Sequence, residues 1–210
     1  MNTINAQDWA QLNRYKKANA LLSISEKDVN SVVFMGNSIT EGWVQDSLPL
    51  FKEKSYINRG IGGQTTPQMK HRFVQDVIEL EPKAVVILAG INDIAQNTGY
   101  ISIPEIAANI EEMVRMAKTN NIKVVLCSVL PSNYFPWRPQ IQPADKVIAL
   151  NALLKEIAYK NEVHYLDYYS EMVDHKKGLK KVYTTDGVHC TIEGYMVMEF
   201  LINKSLKTLF

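Results

Sequence analysis

Several residue types and patterns are scarce in this chain, and each scarcity removes a class of function. There are two cysteines, Cys127 and Cys190, far apart and without Cys-x-x-Cys spacing, so the sequence offers neither a zinc knuckle nor a dithiol redox motif. Of the four histidines, His71, His164, His175 and His189, no two have the spacing of paired metal ligands. Charge of one sign is also missing. With 23 basic against 22 acidic residues the net charge is +1, which gives no basic field for nucleic acid; the Lys16-Lys17, Lys176-Lys177 and Lys180-Lys181 pairs read as solvated surface. No apolar run approaches the length of a membrane span, and the start, "MNTINAQDWAQLNRYKKANALL", lacks the basic and apolar regions of an export signal. As written, the chain reads as cytoplasmic; with an export signal already removed, the same chain would be secreted or periplasmic. Internal repeats, low-complexity tracts and linkers are absent. At 210 residues and 46% hydrophobic, one domain over 1–210 is expected.

What is present is an alternation. Apolar strand candidates recur at 31–35, 55–58, 84–89, 122–129 and 163–166. The first, Val32 to Met35, is apolar at every position, as strands covered on both faces of a parallel sheet are. Helical patterns lie between them. An amphipathic helix is expected at roughly 7–22; another opens at Pro104 and puts Ile106, Ile110, Met113, Val114 and Ala117 on one face. A third repeats Val147, Leu150, Leu154, Ile157 and Ala158, and the last starts from Thr191 as its cap. Alternation of this kind indicates βαβ units, hence an α/β fold with a parallel sheet between helical layers.

The chemistry-bearing stretches fall at the carboxyl ends of the strands, the edge where open α/β sheets bind ligands. Gly36-Asn37-Ser38 ends the first strand; it is ordinary turn and helix-capping chemistry, and equally a place for a reactive serine. "NRGIGGQTT" puts Gly60, Gly62 and Gly63 after the second strand, where backbone amides can approach a substrate, and "LAGINDI" ends the third with Asn92 and Asp93. The segment 131–143, "PSNYFPWRPQIQP", carries four of the eight prolines and must be an ordered loop. Its Trp137 and Arg138 either wall a ligand site or pin the loop to the body. "TTDGVHCTIEGY" offers Asp186 and His189 before the final helix. A serine, a histidine and an acid on converging loops are the parts of a nucleophilic hydrolase, because a serine hydroxyl needs a base and the base needs an acid to fix its tautomer.

Taken in order, Gly36-Asn37-Ser38-Ile39, Gly63 in "GIGGQTT", Asn92 in "GIND" and Asp186 with His189 in "DGVH" resemble the successive blocks of the SGNH hydrolases, also called the GDSL esterase and lipase family. The resemblance covers about 31–195. It implies a flavodoxin-like three-layer α/β/α sandwich with a five-stranded parallel sheet, and an ester hydrolase that needs no metal or organic cofactor. It further implies Ser38 as nucleophile, His189 as general base, Asp186 as its orienting acid, and an oxyanion hole made by the amides of Ser38 and Gly63 and the side chain of Asn92. One position departs from the pattern: the family's usual acid before the serine is Asn37 here. Such GNSI versions resemble esterases related to platelet-activating-factor acetylhydrolase and carbohydrate deacetylases.

Other readings compete with this one. The α/β-hydrolase fold places its nucleophile in Gly-x-Ser-x-Gly, which the chain lacks here, and a metal hydrolase has too few ligands. A non-catalytic flavodoxin-like binding module would make the triad a coincidence. Among esterases, a lysophospholipase or thioesterase of longer chains needs an apolar trough, whereas an acetylesterase needs a small acyl pocket and a polar or aromatic surface for the alcohol. Trp43, Tyr134, Trp137 and Arg138, with Asn37 beside the serine, favour a short-chain ester of a carbohydrate or similar polar alcohol. Arg59, beside the glycine loop, either assists or pairs with a carboxylate.

Overall fold

The computed structural model describes residues 8–24, 30–53 and 55–210. Five strands form one parallel sheet: β1 (Val32–Gly36), β2 (Tyr56–Gly60), β3 (Ala84–Leu88), β4 (Lys123–Cys127) and β5 (His164–Leu166). Their order is β2-β1-β3-β4-β5, with Val32 beside both Tyr56 and Ala84 and Gly36 beside both Gly60 and Leu88. This is the flavodoxin order, in which the chain reverses its winding between β1 and β3 and opens a crevice at their carboxyl ends. Strands β1 and β3 are buried at every residue, as their unbroken apolar runs require.

Helices cover both faces. Helices α1 (Asn13–Ile24), α3 (Thr66–Asp76), α5 (Ile103–Thr119) and α6 (Ala144–Lys160) pack in sequence along one side. On the other side α7 (Tyr168–Met172) and α8 (Ile192–Leu209) lie together, and short α2 (Ser38–Glu41) and α4 (Ile91–Ile94) follow β1 and β3 at the ligand edge. Helix α5 behaves as its sequence demands. Ser102 and Glu105 form a capping box, Pro104 sits in the first turn, and Ile106, Ile110, Met113, Val114 and Ala117 are buried. The stripe of α6 and the Thr191 cap of α8 are likewise as expected.

Helix α1 starts later than its pattern suggests. The Asp8 carboxylate accepts the backbone N–H groups of Leu12 and Asn13, holding residues 8–12 as turns so that the helix opens at Asn13; position 7 lies outside the described residues. Its inner stripe, Leu12, Tyr15, Asn19 and Leu22, is only half-buried. The helix docks largely through polar contacts: the Tyr15 hydroxyl donates to the Gly60 carbonyl, and Asn19 donates to Gln75 O and to Asp76 at 2.7 Å.

Candidate active site

Ser38 is the first residue of α2, one step beyond the buried strand β1 and its cap Asn37. The chain turns there so sharply that a Cβ on Gly36 would lie 1.9 Å from Thr40 Oγ1, so only glycine closes the strand onto its helix. From the opposite side, Tyr195 of α8 donates to the Ile39 carbonyl at 2.9 Å and stacks on Trp43. The serine is thus fixed between the sheet and the last helix.

The 184–190 loop brings the histidine to it. His189 Nε2 lies 3.0 Å from Ser38 Oγ, and His189 Nδ1 lies 2.6 Å from Asp186 Oδ2. Asp186 uses its other oxygen on its own loop, accepting the N–H groups of Val188 at 2.9 Å and His189 at 2.8 Å. Burial pushes the Asp186 carboxyl up, but the His189 ring and these N–H groups together outweigh it and leave the group below the ordinary carboxylate range. The side chains of His189 and Asp186 keep 43% and 35% of their surface exposed, so this half of the site is open to solutes.

The glycine loop and the β3 turn form the other half. Gly63 has φ +75°, a backbone that L side chains rarely adopt, and its exposed N–H has no acceptor among the described residues. Its carbonyl accepts from Asn97 at 3.1 Å. Asn92 is 4% exposed and donates one amide hydrogen to the Gln64 carbonyl at 3.0 Å, leaving its second amide hydrogen for a ligand. Gly62 N–H is taken up by Glu41 at 2.9 Å, and Glu41 is paired with Arg14 of α1.

A family model, the GDSL-like lipase/acylhydrolase family, matches residues 34–197 of this sequence. The chain belongs to that family. Solved relatives agree along nearly the whole length. A candidate acylhydrolase from Bacteroides fragilis is 50% identical with a TM-score of 0.92, covering 97% of this chain and 99% of its own. A GDSL-like lipase from Bacteroides thetaiotaomicron is 46% identical with a TM-score of 0.91, covering 96% and 99%. Among curated proteins, the uncharacterized lipoprotein YqeF of Bacillus subtilis is 32% identical over 78 residues, 36% of this chain and about a third of that protein's length (32%). Within the family's fold, the strand order explains the site: Ser38 after β1 and Asn92 after β3 flank the point where the winding reverses.

Several expected ligand contacts are placed elsewhere. Trp43 is 2% exposed and packs among Phe34, Phe51 and Tyr195, because at that point of the turn its ring fills the gap between β1 and α8. Asn37 is 1% exposed; its carbonyl oxygen caps α2 by accepting Ile39 N–H, so it presents no surface to a substrate. Arg59 is buried and bonds to Asn19 and the Asn58 carbonyl over the Tyr15 ring, facing α1 and not the serine. In the proline loop the buried anchor is Phe135. Trp137 stacks on Phe135 at 5.4 Å and its ring stands 6.2 Å from that of His189, so it belongs to the site wall. Arg138 is half-buried, and its guanidinium has no hydrogen bond or ion pair among the described residues.

Beneath the site is a polar network that lies outside the sequence motifs. Arg72, fully buried in α3, donates to the carbonyls of Gly36 (3.0 Å) and Arg59 (2.9 Å), to Gln64 Oε1 (2.6 Å) and to Asp76 (2.9 Å). Asp93, 1% exposed, accepts the backbone N–H of Thr66 at 2.9 Å and its hydroxyl at 2.6 Å, clamping the start of α3 to the Asn92 turn. Burial outweighs those hydrogen bonds and raises its carboxyl to about 6. The available signal was charged residues inside an apolar stripe, since Arg72 and Asp76 interleave with buried Met69, Phe73 and Val77. Burial also raises both thiols, Cys127 strongly and Cys190 to about 12, which leaves neither reactive. Among the described residues no cluster of three or more His, Cys, Asp or Glu could hold a metal, and no helix is long and apolar enough to cross a membrane.

Proposed function

We propose that the protein is a serine esterase that removes short acyl groups, acetyl foremost, from a carbohydrate or similar polar alcohol, using Ser38, His189 and Asp186. The observation that carries the reading is the chain of contacts from Ser38 Oγ through the His189 ring to Asp186, 3.0 and 2.6 Å long. With its Nδ1 proton donated to the carboxylate, the imidazole presents a bare Nε2 to the serine hydroxyl. Ser38 Oγ attacks the ester carbonyl carbon while its proton passes to Nε2. The resulting oxyanion is held by the N–H groups of Ser38 and Gly63 and by Asn92; losing one such donor typically costs about a hundred- to a thousandfold in turnover. The ester C–O bond then breaks, the alcohol leaves with the Nε2 proton, and water repeats the sequence on the acyl-enzyme to release the acid.

Two features support a small acyl group and a polar alcohol. The glycine loop lies against the nucleophile, with a Cβ at Gly62 falling 3.8 Å from Ser38 Cβ and 2.9 Å from the Glu41 carboxylate, so a polar group and not an apolar trough stands beside the serine on that side. On the His189 side, the Trp137 face and the unpaired Arg138 offer stacking and hydrogen bonding. The test is hydrolysis of p-nitrophenyl acetate, butyrate and octanoate by the wild type and Ser38→Ala. Activity should be highest on acetate and fall at least about ten-thousandfold in the variant. Faster turnover of octanoate would overturn the acyl preference, and an unaffected variant would overturn the mechanism.

A further inference from the structure

An open cleft of about 890 Å³ lies beside the catalytic edge, with Gln96, Asn133, Tyr134, Gln140 and Gln142 as the neutral polar part of its lining. Its two walls are continuations of the two halves of the site. Gln96 ends the turn that begins with Asn92, next to Asn97, whose amide holds the Gly63 carbonyl. The other residues belong to the proline loop, which carries Trp137 to within 6.2 Å of His189 and places the Tyr134 carbonyl 3.5 Å from where a Cβ on Gly187 would stand.

The lining has a definite chemistry. The side-chain amides of Gln96, Gln140 and Gln142 and the Tyr134 hydroxyl make no hydrogen bond among the described residues, and Asn133 uses only its Nδ2, on the Lys176 carbonyl. An amide both donates and accepts, which matches a hydroxyl group that does the same; a run of neutral amides from two segments suits a polyhydroxylated surface. Of the two charged side chains at the rim, Asp145 is already paired with Lys177 at 2.8 Å, and Lys146, which has no ion pair among the described residues, adds a donor that a sugar hydroxyl can accept. The volume lies at the upper end of the range for sites that hold a drug-sized ligand, too large for one sugar ring. Direction adds a constraint, because on the proposed mechanism the alcohol leaves with the proton on His189 Nε2 and therefore lies on the Trp137 side, toward the proline loop that also supplies Tyr134, Pro139 and Gln140 to the cleft.

We infer that this cleft is an alcohol-side subsite for an uncharged oligosaccharide of several rings, with Gln96, Gln140 and Gln142 reading its hydroxyls and Trp137 stacking on the ring nearest the ester. The inference deepens the esterase reading and rests on it for its direction, but binding in the cleft needs no catalysis. The experiment is therefore a titration of the whole protein with deacetylated xylose, xylotetraose and cellotetraose, followed by calorimetry or amide chemical shifts, in the wild type and in Gln140→Ala/Gln142→Ala. At least one tetraose should bind tenfold or more tightly than xylose, shift the amides of 133–142 and lose that advantage in the double variant. Equal or undetectable binding of all three sugars, or an advantage that survives in the double variant, would overturn the subsite. Hydrolysis of p-nitrophenyl acetate is measured on the same samples: an active enzyme without tetraose binding fails the subsite alone, whereas tetraose binding without hydrolysis fails the esterase reading alone.

Discussion

The two halves of the candidate site are held in opposite ways. The half that carries Gly63 and Asn92 rests on buried polar contacts between distant parts of the chain: Arg72 with the ends of β1 and β2, Asp93 with the start of α3, and Asn92 with Gln64. In the half that carries His189, most contacts lie within one loop, where Thr184 accepts from Gly187 and Asp186 accepts from Val188 and His189. Rigidly held donors are what an oxyanion requires, because they cost no reorganisation as charge develops. An open rim is what a bulky alcohol requires. On the proposed mechanism the first half serves the constant part of ester hydrolysis and the second the choice of substrate.

Breaking the buried half at its centre should give the larger effect. Replacing Arg72 with Met removes one partner of a fully buried ion pair, leaves Asp76 with only the Asn19 and Gln75 amides as donors, and takes the guanidinium away from Gln64 Oε1 and two strand-end carbonyls. Stability in urea should fall by about 3–5 kcal/mol. A loss below about 1 kcal/mol would mean that the strand ends are held by packing alone, and the contrast between the halves would disappear.

A finer probe is the pH dependence of Asp93. Its carboxyl is raised from 3.8 to about 6, so the folded state holds its proton more tightly than the unfolded chain does. The associated stability is fully present below pH 3.8 and is lost as pH rises through about 6, a change of roughly 3 kcal/mol across the window. Asp93→Asn has no such proton to lose. The wild type's stability, taken relative to that variant, should therefore decline by this amount between about pH 4 and pH 6.5; a flat difference would show that Asp93 is solvated and no clamp.

The same contrast governs what was legible in the sequence. Asp186 and His189 sit three residues apart in one loop, and Ser38, Gly63 and Asn92 each follow a recognisable strand, so local pattern and resemblance together reached all five. Arg72, Asp93 and Glu41 make contacts across 21 to 36 residues of chain, as Glu41 to Gly62, Thr66 to Asp93 and Gly36 to Arg72 illustrate, and no local rule links such positions. Aromatic residues misled for a related reason. Trp43 and Trp137 look alike as letters near the site, yet one fills the core beside Tyr195 and the other stands exposed beside His189. For Trp43, burial is completed by Tyr195 of helix α8, more than a hundred residues further along the chain.

The most direct test of the account is covalent labelling with a fluorophosphonate probe, read by mass spectrometry of the intact protein and its peptides. The account predicts one adduct, on Ser38, formed at least about a thousandfold more slowly in His189→Ala, where the serine has lost the base that takes its proton. No adduct in the wild type, an adduct on another residue, or equal labelling rates in the two proteins would contradict it.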